Sequence, residues 1–99
     1  MYKEKLNPIH PGEVLLEEFL EPMQLTIEEL AAGISFSPEE INNIISHQYS
    51  ITAEIALRLA RFFGTSPQFW LGLQTDYDLD IAQEMLSEKL ENEVKIYIK

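Results

Sequence analysis

Apolar residues recur along the chain at the three-and-four spacing of helices, and capping residues divide the recurrences into segments. Leu16, Phe19, Leu20 and Met23 follow i, i+3, i+4, i+7, the stripe of an amphipathic helix. His10-Pro11-Gly12-Glu13 opens it with a proline at the start and an acid in the first turn, both favoured there. Pro22 is expected to end it. Glu13, Glu17 and Glu21 run down another face, which reads as solvated.

Thr26 followed by Glu29 forms the signature of a capping box, and Ile27, Leu30, Ala31 and Ile34 give the next helix its buried face. After a break at Ser35 and Phe36, Ser37-Pro38-Glu39-Glu40 repeats the start signal. Ile41, Ile44 and Ile45 then point inward and Asn42, Asn43 and Ser46 elsewhere. Residues 47–50 read as a loop. Thr52 caps a fourth helix that runs to Gly64, a common residue just past a helix end. Its apolar face holds Ile55, Ala56, Leu59, Ala60, Phe62 and Phe63, while Glu54, Arg58 and Arg61 share the outer face. Glu54 and Arg58 stand at the favourable i, i+4 spacing. Ser66-Pro67 starts a fifth helix with Phe69, Trp70, Leu71 and Leu73, and Ile81 to about Glu93 reads as a sixth. Residues 94–99 alternate strictly, the period of a strand. A lone strand must dock, pair or stay loose.

The pattern is all-α and reads as one domain over residues 1–99, with a core of about 10–79 and a C-terminal helix and tail over 80–99. Two capped helices joined by a tight turn at residues 26–47 form a helix-turn-helix. The first helix of such a pair braces on phosphates and the second enters the major groove, where an α-helix fits and reads base edges.

Charge complicates that reading. Seven Lys and Arg face 17 Asp and Glu, for a formal net charge of −10, whereas DNA binders draw much of their affinity from cations on phosphate. Lys and Arg are absent between Lys5 and Arg58, and residues 11–35 hold six glutamates. A surface of that sign suits a basic protein partner. The chain has no cysteine, which removes disulfides and thiolate metal sites. Neither a long apolar run nor a signal-peptide core is evident, so a cytoplasmic location without membrane contact is the expectation. His10 and Glu13 lack a third metal ligand at sensible spacing and His47 is isolated, so His10 reads as a capping or packing residue. Phe69 and Trp70 read as core rather than as a base-stacking pair. Ser and Thr mostly occupy caps with no activating base nearby. The sequence therefore points to neither an enzyme nor a cofactor.

HPGEVLLEEF and ITAEIALRLARFFGTSPQFWLGLQTDYDL resemble the HigA family of plasmid-maintenance antidote proteins, within the Cro- and lambda-repressor-like helix-turn-helix regulators. The resemblance runs without gaps from about His10 to Leu79 and is most specific over Ile51 to Leu79. It implies a lambda-repressor-like bundle of five helices, six if the C-terminal segment is separate, acting as a homodimer. It also implies binding to double-stranded operator DNA of its own operon and neutralisation of a small basic ribonuclease toxin. Similar family members usually carry Arg or Lys where this chain has Pro38, Asn43, Gln48 and Tyr49, and glycine where it has Ser35 and His47.

Two functions fit. In the first, a dimeric antitoxin and autorepressor brings Ser37, Pro38, Glu39, Asn42, Asn43 and Gln48 to base edges, while Thr26 and the helix N-termini hold phosphates. Asn and Gln read adenine, and Glu accepts from cytosine. In the second, the same scaffold has little DNA affinity and its acidic surface binds a cationic protein. The candidate dimer or partner contacts are Ile81, Met85, Val94, Ile96 and Ile98, from apolar positions late in the chain and in the alternating tail.

Overall fold

In the computed structural model, which describes residues 8–98, the periodic stretches form five helices. Helix α1 (residues 11–23) is α-helical over Pro11–Val14, widens to π-helical turns over Leu15–Leu20 and closes with Glu21–Met23. In the widened part the Glu21 N–H donates to the Leu16 carbonyl, five residues back. Positions five apart therefore share a face. Leu15 and Leu20 are buried, Leu16 and Phe19 only partly, and Met23 is exposed. The expected stripe is rotated for that reason. The helix ends one residue past Pro22, at Met23, in keeping with the end that the proline marks. The chain turns at Gln24, whose left-handed φ of 53° lets Leu25 N–H close on the Leu20 carbonyl at 2.9 Å.

Helices α2 (Ile27–Ile34) and α3 (Pro38–Ile45) follow, separated by Ser35 in the left-handed region at φ 61°. Helix α4 (Ala53–Phe63) ends at Gly64 with φ 77°. Leu15, Leu30, Ile41, Ile44, Leu59 and Trp70 are fully buried where the helices meet. Trp70 is thus core, with its indole N–H on the Thr65 hydroxyl at 2.8 Å. Phe69, beside it, stays partly exposed. Helix α1 crosses α3 at Gly12, where a Cβ would overlap the Ile44 carbonyl oxygen and stand 3.0 Å from the Ile45 Cα.

Helix α5 (Pro67–Glu93) is continuous, where two helices were expected. Residues 74–80 contain neither proline nor glycine. The Gln74 amide donates to Asp78 one turn on at 3.0 Å, and the helix passes through the polar stretch unbroken. Its 27 residues span about 40 Å, yet only Trp70 and Gln74 are buried. The C-terminal half stands clear of the bundle, which gives extents of 53 × 27 × 27 Å. From Val94 (φ −112°, ψ 121°) the chain is extended. No strand is formed among the described residues; the alternation of the tail is present without a ladder.

Because the obstacle at Gly12 is backbone, Gly12→Ala forces α1 off α3. Overpacking of this kind costs about 2 kcal/mol, or a fall in Tm of about 10 °C for a chain this size. Calorimetry checks it, and an unchanged midpoint shows that the two helices are not in closed contact there.

Candidate nucleic-acid interface

The N-termini of α2 and α3 are closed by reciprocal pairs. Glu29 N–H donates to Thr26 Oγ1 at 3.0 Å and Thr26 N–H to Glu29 Oε1 at 2.9 Å. Glu40 N–H donates to Ser37 Oγ at 3.1 Å and Ser37 N–H to Glu40 Oε1 at 2.9 Å. These bonds hold the side chains of Thr26 and Ser37 against their own helices and limit what they offer to DNA. Pro38 has no N–H and the Glu40 amide is capped, so Glu39 supplies the free amide in the first turn of α3. At α2 the amides of Ile27 and Glu28 remain.

Glu39, Asn42 and Gln48 are exposed and Asn43 is half-buried. The structure therefore places Glu39 and Asn42 on the outer side of α3 and Gln48 just past its end, with Pro38 exposed at its start. Asn43 has a further role through its backbone. Its carbonyl accepts from Gln48 N–H at 2.8 Å and Tyr49 N–H at 3.1 Å, folding the following loop back onto the helix end. Ile51 N–H, at the loop's far end, donates to the buried Gln74 side chain at 2.7 Å. The loop is tied to α3 and α5 at once.

His47 is not isolated, contrary to expectation. Its ring stacks on His10 with centroids 4.4 Å apart and planes at 14°, and Tyr77 meets His10 edge-on at 4.8 Å. His10 is 3% exposed and its Nδ1 accepts the Gly12 N–H at 2.9 Å. The proton of the neutral ring is then on Nε2. His10 is the cap of α1, as the sequence suggested, and also the packing surface for the end of the recognition loop. His47 itself has φ 69°. That conformation favours glycine, as does the φ of 61° at Ser35.

Two anchoring residues escaped the sequence. One is Gln74. The other is Arg58, whose Nε and Nη2 donate to Glu54 Oε2 at 3.1 and 2.8 Å, as its spacing implied. Its Nη1 reaches the Ile34 carbonyl at 2.6 Å, 24 residues away in the chain, a contact that helical spacing does not signal. Among the described residues no cluster of three or more His, Asp or Glu is placed to hold a metal ion. No helix among them is long and apolar enough to cross a membrane.

Two short capped helices on a helical bundle, the second presenting an open polar face, define a helix-turn-helix regulator. The pattern of the helix-turn-helix family matches residues 16–70. The chain is 49% identical over 82 residues to virulence-associated protein I of Dichelobacter nodosus, covering 83% of this chain and 76% of that protein. It is 39% identical over 79 residues to antitoxin HigA-1 of Vibrio cholerae, covering 80% and 74%. Among solved structures, Pseudomonas aeruginosa antitoxin HigA with the higBA promoter superposes with a TM-score of 0.88 at 38% identity, covering 93% of this chain and 100% of that one. The chain belongs to the helix-turn-helix family and, within it, to the HigA-type antitoxins.

Burial holds the His10 imidazole below its ordinary value, helped by His47 and opposed by Asp78, the Tyr49 backbone and Glu13. The unfolded chain thus takes up the proton at a higher pH than the folded one. Stability is full above the unfolded value of about 6.5 and is lost as pH falls from there through the folded value. Urea unfolding at pH 7.5 and 5.5 should show that loss in the parent. It should be smaller in His10→Asn, which keeps a cap but not the titration. An equal loss in both assigns the effect elsewhere.

Proposed function

We propose that this protein is a DNA-binding antitoxin that represses its own toxin–antitoxin operon, gripping operator DNA as a homodimer through α2 and α3. The observation that carries the reading is the outer face of α3. Glu39 and Asn42 stand free there, with Gln48 beyond the helix end, on a scaffold similar to one solved with promoter DNA. Asn42 and Gln48 suit adenine and Glu39 suits the cytosine amino group. Phosphate contacts fall to the amides of Ile27, Glu28 and Glu39 and to few cations, since residues 10–79 contain only Arg58 and Arg61. The second partner is a small basic ribonuclease toxin, matched by the net charge of −10. The protein acts in the cytoplasm as one domain, with core 10–79 and appendage 80–99.

The dimer contact lies on that appendage. Met85 is 75% and Ile96 87% exposed, Val94 and Ile98 are nearly as open, and Ile81 lines an apolar hollow with Tyr77, Ala82, Met85 and Leu86. A projecting half-helix without core contacts is marginal alone. A second copy of the same segment covers it by two-fold symmetry.

Fluorescence anisotropy with the protein's own upstream DNA, against a random duplex over a salt series, tests the reading. We expect operator preference with a shallow salt dependence, a log–log slope of magnitude below about 4, because few phosphates meet a cation. Asn42→Ala should lose about 1–3 kcal/mol on the operator and little on random DNA. Affinity for the operator no better than for random DNA, even at low salt, overturns it.

Light scattering tests the dimer. Met85→Glu and deletion of residues 94–99 should each shift the mass toward the monomer. A dimer unchanged in both variants places the interface elsewhere.

A further inference from the structure

In a chain with so little positive charge, each cation near the helix-turn-helix is a natural candidate for a phosphate contact. Arg58 is half of that supply within residues 10–79, and its geometry assigns it a different task. Ile34 is the last residue of α2, so its carbonyl is among those left without an intrahelical partner. Arg58 Nη1 supplies the partner at 2.6 Å. The guanidinium also lies over the Phe36 ring, 5.1 Å from its centroid, a cation–π distance. Both contacts flank Ser35, the left-handed residue on which the turn depends. Glu54 holds the remaining side of the fork through Nε and Nη2. Three of the five donors are thereby used within the protein, and the side chain is 37% exposed.

We infer that Arg58 is a positioning residue: it bolts the turn between α2 and α3 to α4, and so sets the angle at which α3 is presented. The inference rests on the operator reading above. Glu54 belongs to the same device, since it holds the guanidinium in the plane that meets both Ile34 and Phe36. An acidic residue close to the binding helices then assists DNA recognition, against the sign of simple phosphate repulsion. The bond lies only three residues before Ser37, where α3 is capped. A change in the turn therefore reaches Glu39 and Asn42 directly.

The sign of one substitution tests this. Glu54→Gln removes a negative charge from an exposed position and releases Arg58. If Arg58 is a positioning residue, operator affinity falls by about 3- to 10-fold, affinity for random duplex is unchanged and the salt slope stays the same. If Arg58 serves phosphates, Glu54→Gln raises affinity for both duplexes, and that result overturns the inference. Arg58→Met should lower operator affinity by about 10-fold or more without reducing the salt slope, whereas loss of a phosphate contact lowers the slope by about 1. Adding Ser35→Gly to Arg58→Met should recover part of the loss, because glycine enters the left-handed turn freely. Amide chemical shifts of Ser35, Phe36 and Ser37 in free Glu54→Gln provide a readout without DNA. Movement there supports the bolt, and unchanged shifts overturn it. Absence of operator preference in the parent sinks the operator reading, and these shifts then decide the role of Arg58 separately.

Discussion

Every helix among the described residues starts at a side chain that accepts a backbone N–H two or three residues on: His10 from Gly12, Thr26 from Glu29, Ser37 from Glu40, Thr52 from Ile55 and Ser66 from Phe69. Each such cap is worth about 1 kcal/mol, and it weighs most where helices are short. Helices α2 and α3 have eight residues each, well below the length that persists alone in water. Their existence depends on capping at one end, a satisfied turn at the other and the burial of Leu30, Ile34, Ile41 and Ile44 between. The same constraint shapes the functional face. The oxygen that caps a helix is turned to its own backbone, so the caps that create the candidate site also occupy the hydroxyl oxygens of Thr26 and Ser37.

The parts of the fold legible in the sequence are those set by local chemistry. Capping boxes, proline at the first helical position and glycine at a helix end act over three or four residues, and the five starts were found through them. The π-helical stretch in α1 was not, because the apolar spacing fits an ordinary helix as well as a widened one; the choice is made by packing of Leu15 and Leu20 against the core. The polar run 74–80 looked like a break because its aspartates are poor helix formers. It is helical because Gln74 is fixed at both ends, to Ile51 and to Asp78. The candidate face was legible in outline for a similar reason. Glu39 and Asn42 are exposed by periodicity and Gln48 by its place in a loop, but the bonds from Arg58 to Ile34 and the stack of His47 on His10 join residues 24 and 37 positions apart. No helical period signals such pairs.

Two left-handed residues beside the short helices are constrained by side chains from other elements. Ser35 and His47 occupy positions where φ is above 60°, a region that costs a residue with a Cβ about 1 kcal/mol or more. In both places a side-chain interaction stands beside the strained residue. Next to Ser35 the Arg58 guanidinium bonds the preceding carbonyl and lies over the following ring. At His47 the imidazole stacks on a buried neighbour. Glycine meets such a turn by backbone freedom alone; here side chains from α4 and from the start of α1 constrain it. The orientation of the recognition helix is thereby linked to elements outside the helix-turn-helix.

That linkage bears on how an acidic protein can recognise DNA. Phosphate attraction is indifferent to sequence and raises affinity for every duplex equally. A surface of net charge −10 with two cations in residues 10–79 forgoes most of that attraction, and with it most non-specific binding. In the reading proposed above, what remains is the fit of a few uncharged and acidic groups to base edges, which depends steeply on geometry because hydrogen bonds weaken sharply with misalignment. A reader of this kind can be selective at modest affinity, provided its helix does not move. The caps, the bolt at the turn and the pinned loop behind α3 meet that requirement. In this chain structural rigidity takes over part of the role that positive charge plays in most DNA-binding domains.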